Sequence, residues 1–191
     1  MNITVYAASS GQVPDIYKQA AAELGTLLAR GGHTLINGAG RTGLMGATID
    51  AARAEGGATI GVIPQFMIEQ GWEHQQMSRL IVTPDMHERK QTMATMSDAC
   101  IACPGGVGTL EELLEVITWK QLGLYLKPIV MLNIEGFFTP LLEQFARCVE
   151  ERFMRPDHCA IWQVAHSPQE AIALCESTPL WSKEVRKYAA L

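Results

Sequence analysis

The chain has 191 residues, of which 48% are hydrophobic and 18% charged, with a formal net charge of −5. That is chain enough for one domain, 1–191, with a core that needs neither disulfide nor metal. The acidic balance argues against a nucleic-acid polymer or an anionic membrane as the main partner, though a local cradle for a small anion can oppose the global charge. No run approaches the roughly 20 apolar residues of a spanning helix. The opening MNITVYAASSG has neither the basic nor the apolar region of a signal peptide, so a cytoplasmic protein is expected.

In chain order, a strand is expected over 2–8 and leads into a small-residue turn, ASSG, at 8–11. A helix follows over 15–30, with Ile16, Ala20, Leu24, Leu27 and Leu28 at helical spacing and a stop at Gly31-Gly32. Strand 33–37 runs into NGAGRTGLMG and a helix over 43–55, and strand 58–63 follows. The segment 64–78, PQFMIEQGWEHQQMS, reads as a long loop: a surface excursion or a lid over a site. Strand 79–83, helix 86–97 and strand 98–103 come next, then the loop PGGVGT and a helix over 109–124. Strand 128–132, helix 137–152, a strand over 160–164 and a helix over 168–176 complete the chain, the last opened by Ser167, Pro168 and Glu170. Runs such as IGVI and PIVML do not alternate in polarity, as expected of strands covered on both faces. The pattern is that of an α/β fold: a doubly wound parallel sheet of about six to seven strands with helices on both faces.

The five cysteines are scattered. Cys100 and Cys103 form a CxxC, but residues three apart on a strand point to opposite faces, and no second pair completes a zinc site. Reduced, buried thiols are expected, and no metal.

Three loops leave the carboxyl ends of strands, where open parallel sheets bind ligands. They are ASSG, NGAGRTGLMG and PGGVGT, and their small residues let backbone N–H groups approach a phosphate. Residues 38–43 satisfy GxGxxG. However, a dinucleotide fingerprint follows the first strand, and an acid ends the next one. Here the motif follows the second strand and the next ends in GVIPQ, which disfavours an NAD enzyme; phosphate contact remains, with Arg41 as a supplement. In the third loop, Thr109-Leu110-Glu111-Glu112 has the spacing of a capping box, so the two acids could be structural. In DMHERKQTM, Arg89 and Lys90 could be a solvated basic pair or could recognise phosphate or carboxylate. His87 has no evident partner and is taken as structural or supporting.

MHERK followed by SDACIACPGGVGTLEELLEVITWKQLG resembles the Lonely Guy (LOG) family, whose pattern is a methionine-histidine-x-arginine-lysine helix and then PGGxGTxxE. The resemblance covers almost the whole chain, including the GLMG helix start at 43–46 and ITWxQLG at 117–123. It implies a Rossmann-like nucleotide-binding fold. The implied activity is hydrolysis of the N-glycosidic bond of a nucleoside 5′-monophosphate, cytokinin riboside monophosphate or AMP, to free base and ribose 5-phosphate. It further implies a catalytic pair, Arg89 and Glu112, no cofactor, and a homodimer with the site near the subunit boundary. Nucleotide contacts are implied at Ser10, Gly38, Gly40, Thr42, Gly43, Met86, Lys90, Gly105, Gly106, Val107, Gly108, Thr109, Leu110, Glu111 and Thr118. The segment WSKEVRKYAAL and the apolar ELLEVITW are compatible with helix-mediated pairing.

The chain departs from the family in two places. The second glycine loop commonly has three adjacent glycines, where this chain has Ala39 and Arg41 among them. A base-side glutamate of plant members aligns with Gly71, where Glu69 or Glu73 could substitute. Two other classes compete with the phosphoribohydrolase: a non-catalytic nucleotide- or cofactor-binding module, and a pyridoxal-dependent decarboxylase, for which the sequence offers no convincing lysine.

Overall fold

The computed structural model describes residues 1–182 and 184. Seven strands form one all-parallel sheet: β1 (Asn2–Tyr6), β2 (Thr34–Asn37), β3 (Thr59–Pro64), β4 (Arg79–Thr83), β5 (Ala99–Ala102), β6 (Ile129–Leu132) and β7 (Gln163–Ala165). Their order across the sheet is β4-β3-β2-β1-β5-β6-β7. Chain order therefore runs outward one way from β1 to β4 and then restarts beside β1 with β5. The register there pairs Ile3 with Ala99 and Tyr6 with Ala102. This reversal leaves a crevice between the loops that follow β1 and β5, the place where doubly wound sheets hold ligands.

The helices are α1 (Asp15–Arg30), α2 (Gly43–Ala54), α3 (Gln65–Glu69), α4 (Met86–Met96), α5 (Val107–Gln121), α6 (Thr139–Glu150) and α7 (Pro168–Ser177). Leu24, Leu28, Leu44, Ile49 and Ala171 from α1, α2 and α7 share one core layer with Ile3, Val5 and Ile101. Met93, Leu113, Val116 and Phe145 from α4, α5 and α6 share the other with Tyr6, Ile36 and Met131. The expected doubly wound α/β architecture is therefore present. Cys103 lies in the first layer and Cys100 in the second. Both are free and buried, and burial pushes both thiols up to about 12.

Four expectations shift. The last strand is Gln163–Ala165, because Pro156–Ala160 forms a short 3-10 helix with Pro156 in its first turn. Helix α5 begins at Val107, two residues before Thr109. The segment 64–78 is not structureless: it contains α3, a turn at Gly71 (φ +66°) and an antiparallel bridge between Glu73 and Gly40. His87 is exposed on the outside of α4. Within α5, Lys120 is fully buried; its Nζ donates to the Lys127 carbonyl at 2.8 Å, and burial pulls its pKa down to about 8. Among the described residues no helix is long and apolar enough to cross a membrane. Lys183 and 185–191 of the C-terminal pairing segment lie outside the described residues.

Candidate active site

A cavity of about 650 Å³ opens at the carboxyl edge of the sheet. Four strand ends supply walls: Ala7 to Ser10 after β1, Gly38 and Gly40 to Thr42 after β2, Ile63 on β3, and Gly106 to Thr109 after β5. The first two glycine-rich loops and the third, far apart in sequence, thus converge on one space.

The buried charged pair of the cavity comes from α4 and α5. Asp85 caps α4, its carboxylate accepting the Glu88 N–H at 2.9 Å. The helix this starts turns Arg89 and Lys90 inward together with Met93 and Ala94, so the solvated-pair alternative does not hold. The Arg89 side chain is 6% exposed and that of Glu112 10%, and Arg89 Nη1 donates to Glu112 Oε1 at 2.8 Å. Arg89 Nε donates to the carbonyl of Val62 at 3.0 Å. A Cβ on Gly38 would collide with Arg89 Nη2, so the absence of a side chain at 38 makes the seat for the guanidinium. Lys90 turns to the flank of the same pair of helices, where it bridges Glu111 and Glu115, the latter at 3.2 Å.

Burial raises the Glu112 carboxyl above its ordinary value; Arg89 opposes that shift and neighbouring Glu111 adds to it. Burial would lower Lys90, but its bonds to Glu111 and Glu115 outweigh it and hold the ammonium above its ordinary value. Arg89 keeps Glu112 ionisable in a place where an unpaired carboxylate would take up a proton.

The capping box is not formed. Gly106 is the N-cap of α5, with extended backbone (φ −82°, ψ −160°) and no side-chain cap. Thr109 sits inside the helix with its hydroxyl folded toward Gly105, and Glu112 faces Arg89. No acid lies in the first turn. The N–H groups there have no partner within the helix and carry the positive end of its dipole. Glu112 is five residues further on, about 7.5 Å along the axis. An anion at the helix start and a carboxylate beside a developing cation can therefore share one site.

Of the sequence-predicted residues, Ser10, Gly38, Gly40, Thr42, Met86, Arg89, Gly106, Val107, Gly108, Thr109, Glu111 and Glu112 line the cavity. Gly43, Lys90, Gly105, Leu110 and Thr118 do not. Gly43 is taken up by backbone: φ is +66°, and a Cβ would sit 2.6 Å from the Ala8 carbonyl oxygen. The first N–H groups of α2 are likewise engaged, Leu44 and Met45 both donating to Ala8 O at 2.9 and 3.2 Å. Thr118 is exposed, its hydroxyl donating to Leu114 O at 2.8 Å. Sequence reasoning missed Met45, Ile63, Met67 and Trp72, which give the cavity an apolar wall. Trp72, in the segment read as a surface excursion or a lid over a site, was the available signal. Among the described residues no lysine lines the cavity.

A family model described as "possible lysine decarboxylase" matches residues 45–175. Cytokinin riboside 5′-monophosphate phosphoribohydrolase LOG1 of Arabidopsis thaliana is 43% identical over 91% of this chain and 82% of its own. The corresponding rice enzyme LOG (Oryza sativa subsp. japonica) is 41% identical over 91% and 72%. Among solved structures, a molybdenum cofactor binding protein from Rippkaea orientalis superposes with a TM-score of 0.68 at 25% identity, covering 92% of this chain and 94% of that one. With the family's arginine-lysine helix and PGGxGTxxE loop brought together on one cavity, the chain belongs to the LOG family.

Proposed function

We propose that the chain hydrolyses the N-glycosidic bond of a purine nucleoside 5′-monophosphate, AMP or a cytokinin riboside monophosphate, releasing the base and ribose 5-phosphate. The observation that carries this reading is the buried Arg89–Glu112 pair beside a cavity that also holds an uncapped helix N-terminus. The 5′-phosphate binds the first-turn N–H groups of α5, with Ser10 and Thr42 on the facing loops. As the bond from C1′ to the base nitrogen lengthens, positive charge grows on the ribose, and the Glu112 carboxylate stabilises it. Glu112 also takes a proton from the attacking water, whose oxygen bonds to C1′ while the base leaves with the bonding electrons and takes a proton from solvent, to which Glu112 then returns its own. Arg89 is held from behind by Val62 and Gly38; it fixes the carboxylate and opposes its protonation.

A cofactor-carrier reading draws on the likeness to the Rippkaea orientalis protein. Glu112 favours the enzyme, since a binder of anionic groups gains nothing from a buried carboxylate in its cavity. A homodimer is the proposed assembly. Leu114 and Thr118 of α5 and its C-cap Leu122 lie one turn apart on the exposed side, away from the cavity, so a nucleotide contact at Thr118 fits the site of a second copy. Free thiols suit a reducing compartment, and the cytoplasm is the proposed location.

The test is a panel of nucleoside monophosphates, nucleosides and triphosphates assayed for free base, with sedimentation of the protein alongside. Release from monophosphates alone is expected. Equal release from nucleosides would refute the phosphate part of the site, and a monomer in sedimentation would refute the dimer.

A further inference from the structure

Between α3 and β4 the chain runs as a short strap, 71–76, that reaches the cavity at Trp72. Its Trp72 is half exposed and lines the cavity beside Met67 and Ile63. The strap is tied to the loop after β2 by backbone alone: Arg41 N–H donates to Trp72 O at 3.1 Å, and His74 N–H donates to Ala39 O at 2.8 Å. A single bridge of this kind is marginal in water without further support.

His74 supplies that support. Its ring is 9% exposed, and Nε2 lies 2.9 Å from Asp50 Oδ1 on α2. Its Nδ1 accepts the Gln76 N–H at 3.2 Å. A ring whose Nδ1 accepts carries its proton on Nε2, so Nε2–H donates to the Asp50 carboxylate. Both ring nitrogens are engaged, one by the strap itself and one by α2, and the ring cannot turn without losing a bond.

The position of Trp72 matters because the cavity is chemically two-sided. Its polar side has the α5 N-terminus and Glu112; its apolar wall has Ile63, Met67 and Trp72. Only the base of a nucleoside monophosphate has a flat face that an indole can cover. We propose that His74 and Asp50 are a positioning pair that clasps the strap to α2 and so holds the Trp72 indole as the nucleobase-facing wall. The pair sets how tightly the base-bearing nucleotide is held and leaves bond cleavage to Arg89 and Glu112. The phosphoribohydrolase reading enters only in naming the ligand.

Asp50→Ala is the primary variant, because that side chain is 66% exposed and its truncation spares the core; His74→Gln is the second. Calorimetric titrations use ribose 5-phosphate and whichever of AMP or an N6-substituted AMP the wild type binds more tightly, alongside steady-state base release. The nucleotide should bind about three- to tenfold more weakly in both variants, the scale of one net hydrogen bond. Ribose 5-phosphate affinity should be unchanged. KM should rise by the same factor, with kcat within about twofold. Added to Trp72→Ala, Asp50→Ala should cost nothing further, since both act through one side chain. Equal weakening of nucleotide and ribose 5-phosphate, full additivity with Trp72→Ala, or a wild type that holds the nucleotide no better than ribose 5-phosphate would overturn the proposal. The titrations are run in the Glu112→Gln background, which is expected to hold nucleotide without cleaving it, so a wild-type protein that binds nucleotide but releases no base defeats the enzymatic reading and leaves this test standing.

Discussion

The two long glycine loops look alike in sequence and do different work. In the loop after β2 the glycines face protein: Gly38 faces Arg89, Gly43 faces the backbone of Ala8 to Ser10, and Gly46 faces the Arg41 carbonyl. In the loop after β5, Gly105 also faces protein, the Thr109 side chain, but Gly106 and Gly108 face open space inside the cavity wall. The first loop needs glycine so that the fold can close and the guanidinium can be seated. The second leaves open space beyond Gly106 and Gly108, where the proposed function puts the phosphate. A glycine-rich motif is therefore not evidence of a ligand until the space beyond the missing Cβ is known to be empty.

The largest expected effect lies past the second loop. Glu112→Gln should lower base release about 10²- to 10⁴-fold, with nucleotide affinity in calorimetry little changed; near-normal turnover would refute the role given to this carboxylate. Next is a contrast between the loops. Gly43→Ala combines a left-handed φ with a backbone collision and should cost at least about 2 kcal/mol in urea unfolding. Gly108→Ala, inside the first turn of α5, should leave stability unchanged or raise it by up to about 1 kcal/mol, while weakening monophosphate binding. If Gly108→Ala binds nucleotide normally, the distinction between the loops collapses.

A subtler effect is in pH. On the proposed mechanism Glu112 acts as a carboxylate, and burial raises its pKa, so kcat/KM should fall with decreasing pH above the ordinary carboxylate range. Arg89→Met removes the group that opposes the shift and should move the acid limb of the pH–rate profile to still higher pH. A limb unmoved by that change would show that Arg89 does not tune Glu112. The smallest effect is Ala39→Gly. Ala39 has φ +57° and its N–H is bonded to Asn37 Oδ1 at 2.9 Å. Relief of left-handed strain and loss of a buried methyl oppose one another at about 1 kcal/mol each, so the melting temperature should barely move.

Local signals carried most of the fold. Unalternating apolar runs placed six strands to within a few residues, and α1 and α7 followed from helical spacing and an Ser-Pro-x-Glu start. The ends went astray where one residue had two plausible roles. Thr109 with Glu112 has the spacing of a cap, but Gly106 starts the helix earlier and the acid has a better partner in Arg89, 23 residues away in sequence. Such a pair depends on how α4 and α5 lie against the sheet, and no local window contains that. The bonds of His74 to Asp50 and to Ala39 are hidden for the same reason, so 64–78 read as a long loop, a surface excursion or a lid, without its helix and bridge. Motif spacing supplied the polar half of the cavity, while of its apolar half Met45, Ile63 and Met67 are indistinguishable from core until the sheet is assembled, and Trp72 alone carried a cue.

The seat of Arg89 has a consequence for the energetics of recognition. A free arginine side chain holds about 2 kcal/mol of rotameric entropy. Here the Val62 carbonyl, the space over Gly38 and the Glu112 carboxylate have already fixed it. That freedom is surrendered when the chain folds, not when the nucleotide arrives. The site accordingly belongs among rigid receptors, whose affinity is set by fit and whose association needs no rearrangement of the charged pair.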